Sequence, residues 1–241
     1  MVAMTADVVF LLDVDNTLLD SDRIVDDLRI HLERLFGAAG AQRYWRIFDA
    51  MRTEYGYVDY LGALQRYRMD IDSASADAQR LLTVAGFLLD YPFADRLYPR
   101  ALEVITHLAR FGPVVILSDG DVVLQPRKLQ RSGLWAAVDG RALVYVHKEK
   151  VLDAVQHHYA ARHYVMVDDK LHILSAMKAL WQARLTTIFV RQGHYAMDRE
   201  AVAAQPAADY TIAHIGELAD IDFSPLTPTS ANVAHLNLEI P

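Results

Sequence analysis

The sequence predicts an α/β protein built on a parallel sheet, with a second, helical domain inserted near its start. Three observations carry that reading. Short β-branched apolar runs recur, each followed by polar residues and then a helix-period stretch, the pattern of strands joined by crossover helices. Within those runs apolar and polar residues do not alternate, as expected of strands covered on both faces. Finally, about 100 residues without a convincing strand separate the first run from the second, far more than one crossover requires.

The elements follow in order. The first strand is VVFLL at 8–12. After it, Val25–Phe36, Gln42–Tyr55, Val58–Met69 and Ser73–Leu89 read as amphipathic helices, with Gly37, Gly40, Gly56 and the stretch Asp70–Ser75 as interruptions. Pro92 and Pro99 punctuate the return to the core. Further strands are expected at VVIL 114–117, ALVYV 142–146, YVMV 164–167 and LTTIFV 185–190, with a weaker sixth at Tyr210–Ile212. The domains are therefore a Rossmann-like core over 1–19 and 96–223, a helical insert over 20–95, and a loosely attached C-terminal extension over 224–241.

Composition excludes several functions. The 241 residues are 53% hydrophobic, too apolar for a disordered chain. No cysteine is present, so disulfide frameworks, thiolate zinc sites and cysteine catalysis are out. A formal charge of -7 argues against non-specific nucleic-acid binding, which needs a basic footprint. The start, MVAMTADVVFLLDVD, has no basic leader region and its apolar run is interrupted by Asp7 and Asp13, so neither a signal peptide nor a membrane span is expected and the protein reads as cytoplasmic. The ten histidines show no H-x-x-x-H spacing, which argues against zinc.

In open parallel sheets, ligands bind at the carboxyl ends of the strands. Those ends carry Asp13-Val14-Asp15-Asn16-Thr17, then Ser118-Asp119-Gly120-Asp121, then His147-Lys148-Glu149-Lys150, then Asp168-Asp169-Lys170. Any one piece has an ordinary explanation: an Asp after a strand is a common helix cap, and a lone lysine is usually solvated. Together, in that order, they point to chemistry. Converging carboxylates repel one another unless a hard cation lies between them, and all-oxygen ligation suits Mg²⁺. A carboxylate attacking a phosphate dianion meets repulsion of about 4 kcal/mol per charge pair at about 4 Å and an effective dielectric of about 20. A metal, a lysine and a serine hydroxyl on the phosphoryl oxygens would offset it. The second Asp, two residues on, can then move protons.

The four motifs as they stand, LLDVDNTLLD, VVILSDGD, VHKEK and VMVDDK, resemble those of the haloacid dehalogenase superfamily of aspartate-nucleophile phosphotransferases. The resemblance covers about 8–20 and 97–195, and the insert sits where that family places its first type of cap. It implies that Asp13 is the nucleophile forming an aspartyl-phosphate. Asp15 would protonate the leaving alcohol and later activate water, its backbone carbonyl also on Mg²⁺. Asp168 and Asp169 would hold the magnesium, with either as the direct ligand. Ser118 would bind the phosphoryl group, Lys148 would steady nucleophile and phosphate, with Lys150 as its competitor, and Thr17 would bond locally to orient the loop. Asp119 stands where many members have Asn, adding negative charge beside the substrate.

The resulting expectation is a Mg²⁺-dependent phosphomonoester hydrolase acting on a small phosphorylated metabolite. A 2-haloacid dehalogenase would need neither metal nor Asp15, and nothing in the insert selects a phosphomutase. A receiver-like phospho-acceptor would carry its acidic pair early and its lysine last, the reverse of this order. A degenerate binding protein would not be expected to keep Asp13, Asp15, Ser118, Lys148 and Asp168 together. The cap should select the substrate. Its aromatics, Tyr44, Trp45, Tyr55, Tyr57 and Tyr60, read mainly as helical core, and its arginines, such as Arg46, Arg52, Arg66 and Arg68, are generic. Gln192-Gly193-His194 reads as either a rim or a plain turn.

Overall fold

The structure, a computed structural model, describes residues 5–71 and 75–226. Six parallel strands form one sheet in the order β3-β2-β1-β4-β5-β6: β1 (Ala6–Leu12), β2 (Val114–Asp119), β3 (Ala142–Tyr145), β4 (Ala161–Asp168), β5 (Leu185–Val190) and β6 (Tyr210–Ile212). The apolar runs set this architecture. Val8, Phe10 and Leu12 of β1 face one packed layer while Val9 and Leu11 face the other. Both faces are covered, so the run shows no polar alternation. β3 is the exception: all four of its residues are half-buried, because it lies at the sheet edge and not inside, as its sequence had suggested.

Between β1 and β2 lie α1 (Ser21–Tyr55), α2 (Tyr60–Met69), α3 (Ala76–Asp90) and α4 (Ala101–Leu108). The first three form the helical insert, packed around Leu28, Leu32, Tyr44, Tyr67 and Val84. The two helices expected over Val25–Phe36 and Gln42–Tyr55 make up α1 and are divided at Gly37, whose backbone (φ 68°, ψ 176°) is not helical. Gly40 stays helical and interrupts nothing. Gly56, in the left-handed region, ends α1 and donates its N–H to the Arg52 carbonyl. Of the expected C-terminal extension, 227–241 lies outside the described residues, and Ser224–Leu226 forms a 3-10 turn.

The rest of the core carries α5 (Leu124–Ser132) and α6 (Leu134–Ala137) after β2, α7 (Leu152–His158) before β4, α8 (Leu171–Trp181) after it, and α9 (Gly193–Met197) after β5. Successive strands run outward from β1 to β3 on one side, and the chain then resumes at β4 on the other. The strand order thus reverses between β1 and β4, the crevice where open sheets of this kind place their ligands. Among the described residues no helix is long and apolar enough to cross a membrane.

Candidate active site

Asp13 leaves β1 directly into that crevice, with its backbone N–H on the Val167 carbonyl of β4 at 3.0 Å. Across the reversal point β4 ends on Asp168, and Asp169 follows. All three acids are buried, and one oxygen of each lies within 4.8 Å of the others. Lys148, fully buried, enters a short 3-10 turn after β3. Its Nζ donates to Asp13 and to the Leu117 carbonyl at 3.3 Å, and pairs with Asp168 at 2.7 Å. Lys150 is exposed and lines a separate surface groove, so Lys148 alone of the two belongs to this cluster.

The three carboxylates are not balanced by the protein. Burial pushes the Asp13 carboxyl up to about 6 against the pull of Lys148. Burial, with Asp168 and Asp13 nearby, drives Asp169 well above the usual carboxylate range. Desolvation opposes the Lys148 charge, but Asp13 and Asp168 outweigh it and hold the ammonium firmly protonated. Asp13 Oδ2, Asp168 Oδ2 and both oxygens of Asp169 are buried without a hydrogen-bond partner among the described residues. Orphaned carboxylate oxygens in an apolar interior are costly, and an all-oxygen set of this kind fits a hard divalent cation. Asp168 Oδ1 accepts from the Lys170 N–H at 2.8 Å and its Oδ2 faces Lys148 Nζ at 2.7 Å as an ion pair without a hydrogen bond, so Asp169, with neither, is the freer ligand.

Asp15 turns the other way. Its side chain accepts from Ser21 Oγ, from Gln125 Nε2 at 3.0 Å and from Lys128 Nζ at 2.7 Å. Its carboxylate is therefore engaged outside the three-acid cluster. Burial would raise this carboxyl, but Lys128 and the Ser21 hydroxyl outweigh it and hold it below its ordinary value. Ser118 is buried at the end of β2, its Oγ accepting from the same Gln125 Nε2 at 2.9 Å.

Two expectations are corrected. The Thr17 hydroxyl makes no local bond; Oγ1 is buried without a partner. The loop is oriented instead by Asn16, whose Oδ1 accepts from the Ser21 and Asp22 N–H groups, and by Gln192, whose Nε2 donates to the Asn16 and Thr17 carbonyls. Asp119 does more than add charge beside the cavity: its Oδ1 accepts from the Lys148 backbone N–H at 2.7 Å, fixing the turn that carries the lysine.

Sequence reasoning also missed residues. Gln125 and Lys128 lie three apart on α5 and so share a face, and Lys170 follows the acidic pair. Three of the five lysines, Lys128, Lys148 and Lys170, converge here where one was expected. Burial lowers Lys170, but Asp13, Asp168 and Asp169 outweigh it and push it up to about 12. The signal was available in part, since all five lysines fall between 128 and 178. A cavity of about 330 Å³ separates insert from core, lined by Asp15, Lys128 and Lys170 on one side and Arg52, Tyr57 and Tyr60 on the other. Tyr44 is buried in the insert as expected, whereas Tyr57 and Tyr60 face this cavity. Of Gln192-Gly193-His194, His194 lines this cavity, its ring bonding Asp22 at 2.6 Å beside Tyr195, which accepts from Arg52 at 3.0 Å, whereas Gln192 is buried under the β1 loop.

Comparison with known proteins agrees with this geometry. Residues 8–180 match the family of haloacid dehalogenase-like hydrolases. The chain is 58% identical to a haloacid dehalogenase-like hydrolase from Burkholderia xenovorans LB400, over 90% of this chain and 99% of that one, with a TM-score of 0.85. At the level of fold it is similar to the L-2-haloacid dehalogenase of Xanthobacter autotrophicus (16% identity, 90% and 98% of the two chains, TM-score 0.57). A magnesium-bound HAD-hydrolase of Bacillus subtilis is similar in the same sense (18% identity, 88% and 96%, TM-score 0.55). No curated protein sequence matches the chain.

Proposed function

This chain belongs to the haloacid dehalogenase-like hydrolase family, and on that premise we propose that it is a Mg²⁺-dependent phosphomonoester hydrolase whose substrate is a small phosphorylated metabolite. In this reading 20–95 is the cap over a core of 1–19 and 96–223, and neither nucleic acid nor membrane is a partner. One observation supports it above the rest: Asp13 is paired with Lys148 beside two Asp169 oxygens that no donor among the described residues satisfies. A 2-haloacid dehalogenase would need the nucleophile but neither a metal nor Asp15.

Asp13, Asp168 and Asp169 would hold the ion, with the Asp15 carbonyl as a further ligand; bound there, it would neutralise charge on the phosphoryl oxygens. An Asp13 oxygen attacks phosphorus while the ester P–O bond breaks, giving an aspartyl-phosphate and an alcohol that leaves with a proton from Asp15. Water then attacks phosphorus, giving its proton to Asp15, and Asp13 departs as a carboxylate with inorganic phosphate released. Lys148 and Ser118 hold the phosphoryl oxygens through both transfers.

The test is a panel of phosphomonoesters and 2-haloacids, with and without chelator, alongside Asp13→Asn. Ester turnover should vanish with chelation, return with Mg²⁺ and fall at least about 10³-fold in the variant. Ester turnover undiminished in Asp13→Asn, or none by the wild type, defeats the assignment.

A further inference from the structure

Among the described residues, three lysine or arginine side chains line the cavity between insert and core, and two of them face acids. Lys128 pairs with Asp15 at 2.7 Å, and Lys170 faces Asp13, Asp168 and Asp169. Arg52, on the insert side, has no carboxylate within ion-pair reach among the described residues. Its Nη2 donates to the Tyr195 hydroxyl at 3.0 Å, a neutral partner that fixes the guanidinium without neutralising it. The other acids of the lining are engaged elsewhere. Asp22 accepts from Asn16 and His194, Asp119 from the Lys148 N–H, Asp121 from the Val123 and Leu124 N–H groups, and Glu149 lies 3.7 Å from the His147 ring. An exposed arginine is ordinarily just solvated; this one is anchored at a cavity wall by a residue of the core. Tyr60 lines the same wall. Burial raises its phenol, Asp15 and Tyr195 add to that, and Arg52 pulls the other way. The Tyr60 hydroxyl thus stays a donor in the neighbourhood of the guanidinium.

We propose that Arg52 recognises a carboxylate on the leaving group, so that the substrate is the phosphate ester of a small hydroxy acid. A guanidinium presents a planar fork of N–H donors that matches a carboxylate. The cavity, about 330 Å³, stands at the small end of ligand sites, which suits a short leaving group. A second phosphate fits less well. It would set close to two charges against one guanidinium, in a lining that already holds Asp15, Asp22, Asp119, Asp121 and Glu149. A cationic tail would leave Arg52 facing like charge.

This inference rests on the hydrolase reading, and its test separates the two. kcat/KM is compared for 2-carboxyethyl phosphate, propyl phosphate, 2-aminoethyl phosphate and propane-1,3-diyl bisphosphate in wild type, Arg52→Gln, Arg52→Lys and Tyr195→Phe. The wild type should prefer the carboxylate ester to propyl phosphate by about 10-fold or more, as a hydrogen bond to a charged group supplies. Arg52→Gln should collapse that ratio, chiefly by raising KM for the carboxylate ester. Arg52→Lys should keep part of it, because the charge remains while the fork is lost, and Tyr195→Phe should weaken it by releasing the guanidinium. A ratio unchanged in Arg52→Gln, no such preference in the wild type, or a preference for the amine or the bisphosphate overturns the inference while the hydrolase reading stands. A wild type that cleaves no phosphomonoester defeats the hydrolase reading, and the carboxylate subsite is then decided by saturation-transfer NMR with 3-hydroxypropanoate, the alcohol of the first ester. Binding to wild type that Arg52→Gln loses upholds the subsite; no binding, or binding that the variant retains, overturns it.

Discussion

Asp169 is buried with two oxygens that no donor among the described residues reaches. Asp169→Asn should therefore act in opposite directions with and without metal. The amide carries no charge to desolvate, so the metal-free fold should gain on the order of 1 kcal/mol, measured by urea denaturation in chelator. Divalent affinity, which depends steeply on ligand charge, should drop by about 10²-fold or more in calorimetry. At this scale the sequence was readable wherever a residue followed a strand. Asp13, Ser118, Lys148 and Asp168 were found because the strand end itself fixes their place. Lys128 was not, because its value comes from which face of α5 meets a loop 113 positions earlier, and that depends on packing alone. The Thr17 hydroxyl failed for the complementary reason: a local bond expected from its neighbours was taken over by Asn16 and Gln192.

Among the elements, α1 is two helices that meet at Gly37, the interruption that its glycine predicts. Gly37 has a positive φ with an extended ψ, a region reserved for glycine, and a Cβ there would meet nothing within 4 Å. Gly37→Ala should cost about 1–3 kcal/mol through backbone strain alone, read as a lower urea midpoint with little change in kcat. Gly193 differs, since a Cβ there would lie 2.4 Å from Asn16 Cβ: α9 needs glycine to approach the β1 loop at all. Strand positions were legible from apolar runs, but the exposure of β3 was not, because an edge strand and a central one can carry the same residues.

At the scale of the molecule, the acidic pocket couples stability to pH and metal. Asp13 rises from 3.8 to about 6 in the folded protein, and burial with Asp168 and Asp13 nearby holds Asp169 well above the usual carboxylate range. Raised carboxyl groups favour the metal-free fold most at low pH, and that contribution is lost as pH climbs from about 4 through about 6 and beyond. Metal binding runs the other way, because each ligand must first shed its proton. The rise in Tm on adding Mg²⁺ should accordingly be small at pH 5 and grow towards pH 7.5, measured by thermal unfolding at fixed ionic strength. A constant increment across that range would contradict the coupling.

The first turn of the cap helix bears directly on the catalytic loop. α1 begins at Ser21, whose hydroxyl holds Asp15, and Asp22 beside it is gripped by both Asn16 and His194. Because α1 breaks at Gly37, its last turn comes back to the cavity that its first turn also lines, with Ser21 and Asp22 at one end and Arg52 at the other. Under the proposed function, substrate resting on Arg52 and Tyr57 would bear on the same pair of helices whose first residue holds the Asp15 side chain. The cap would then report its occupancy to Asp15 through one serine.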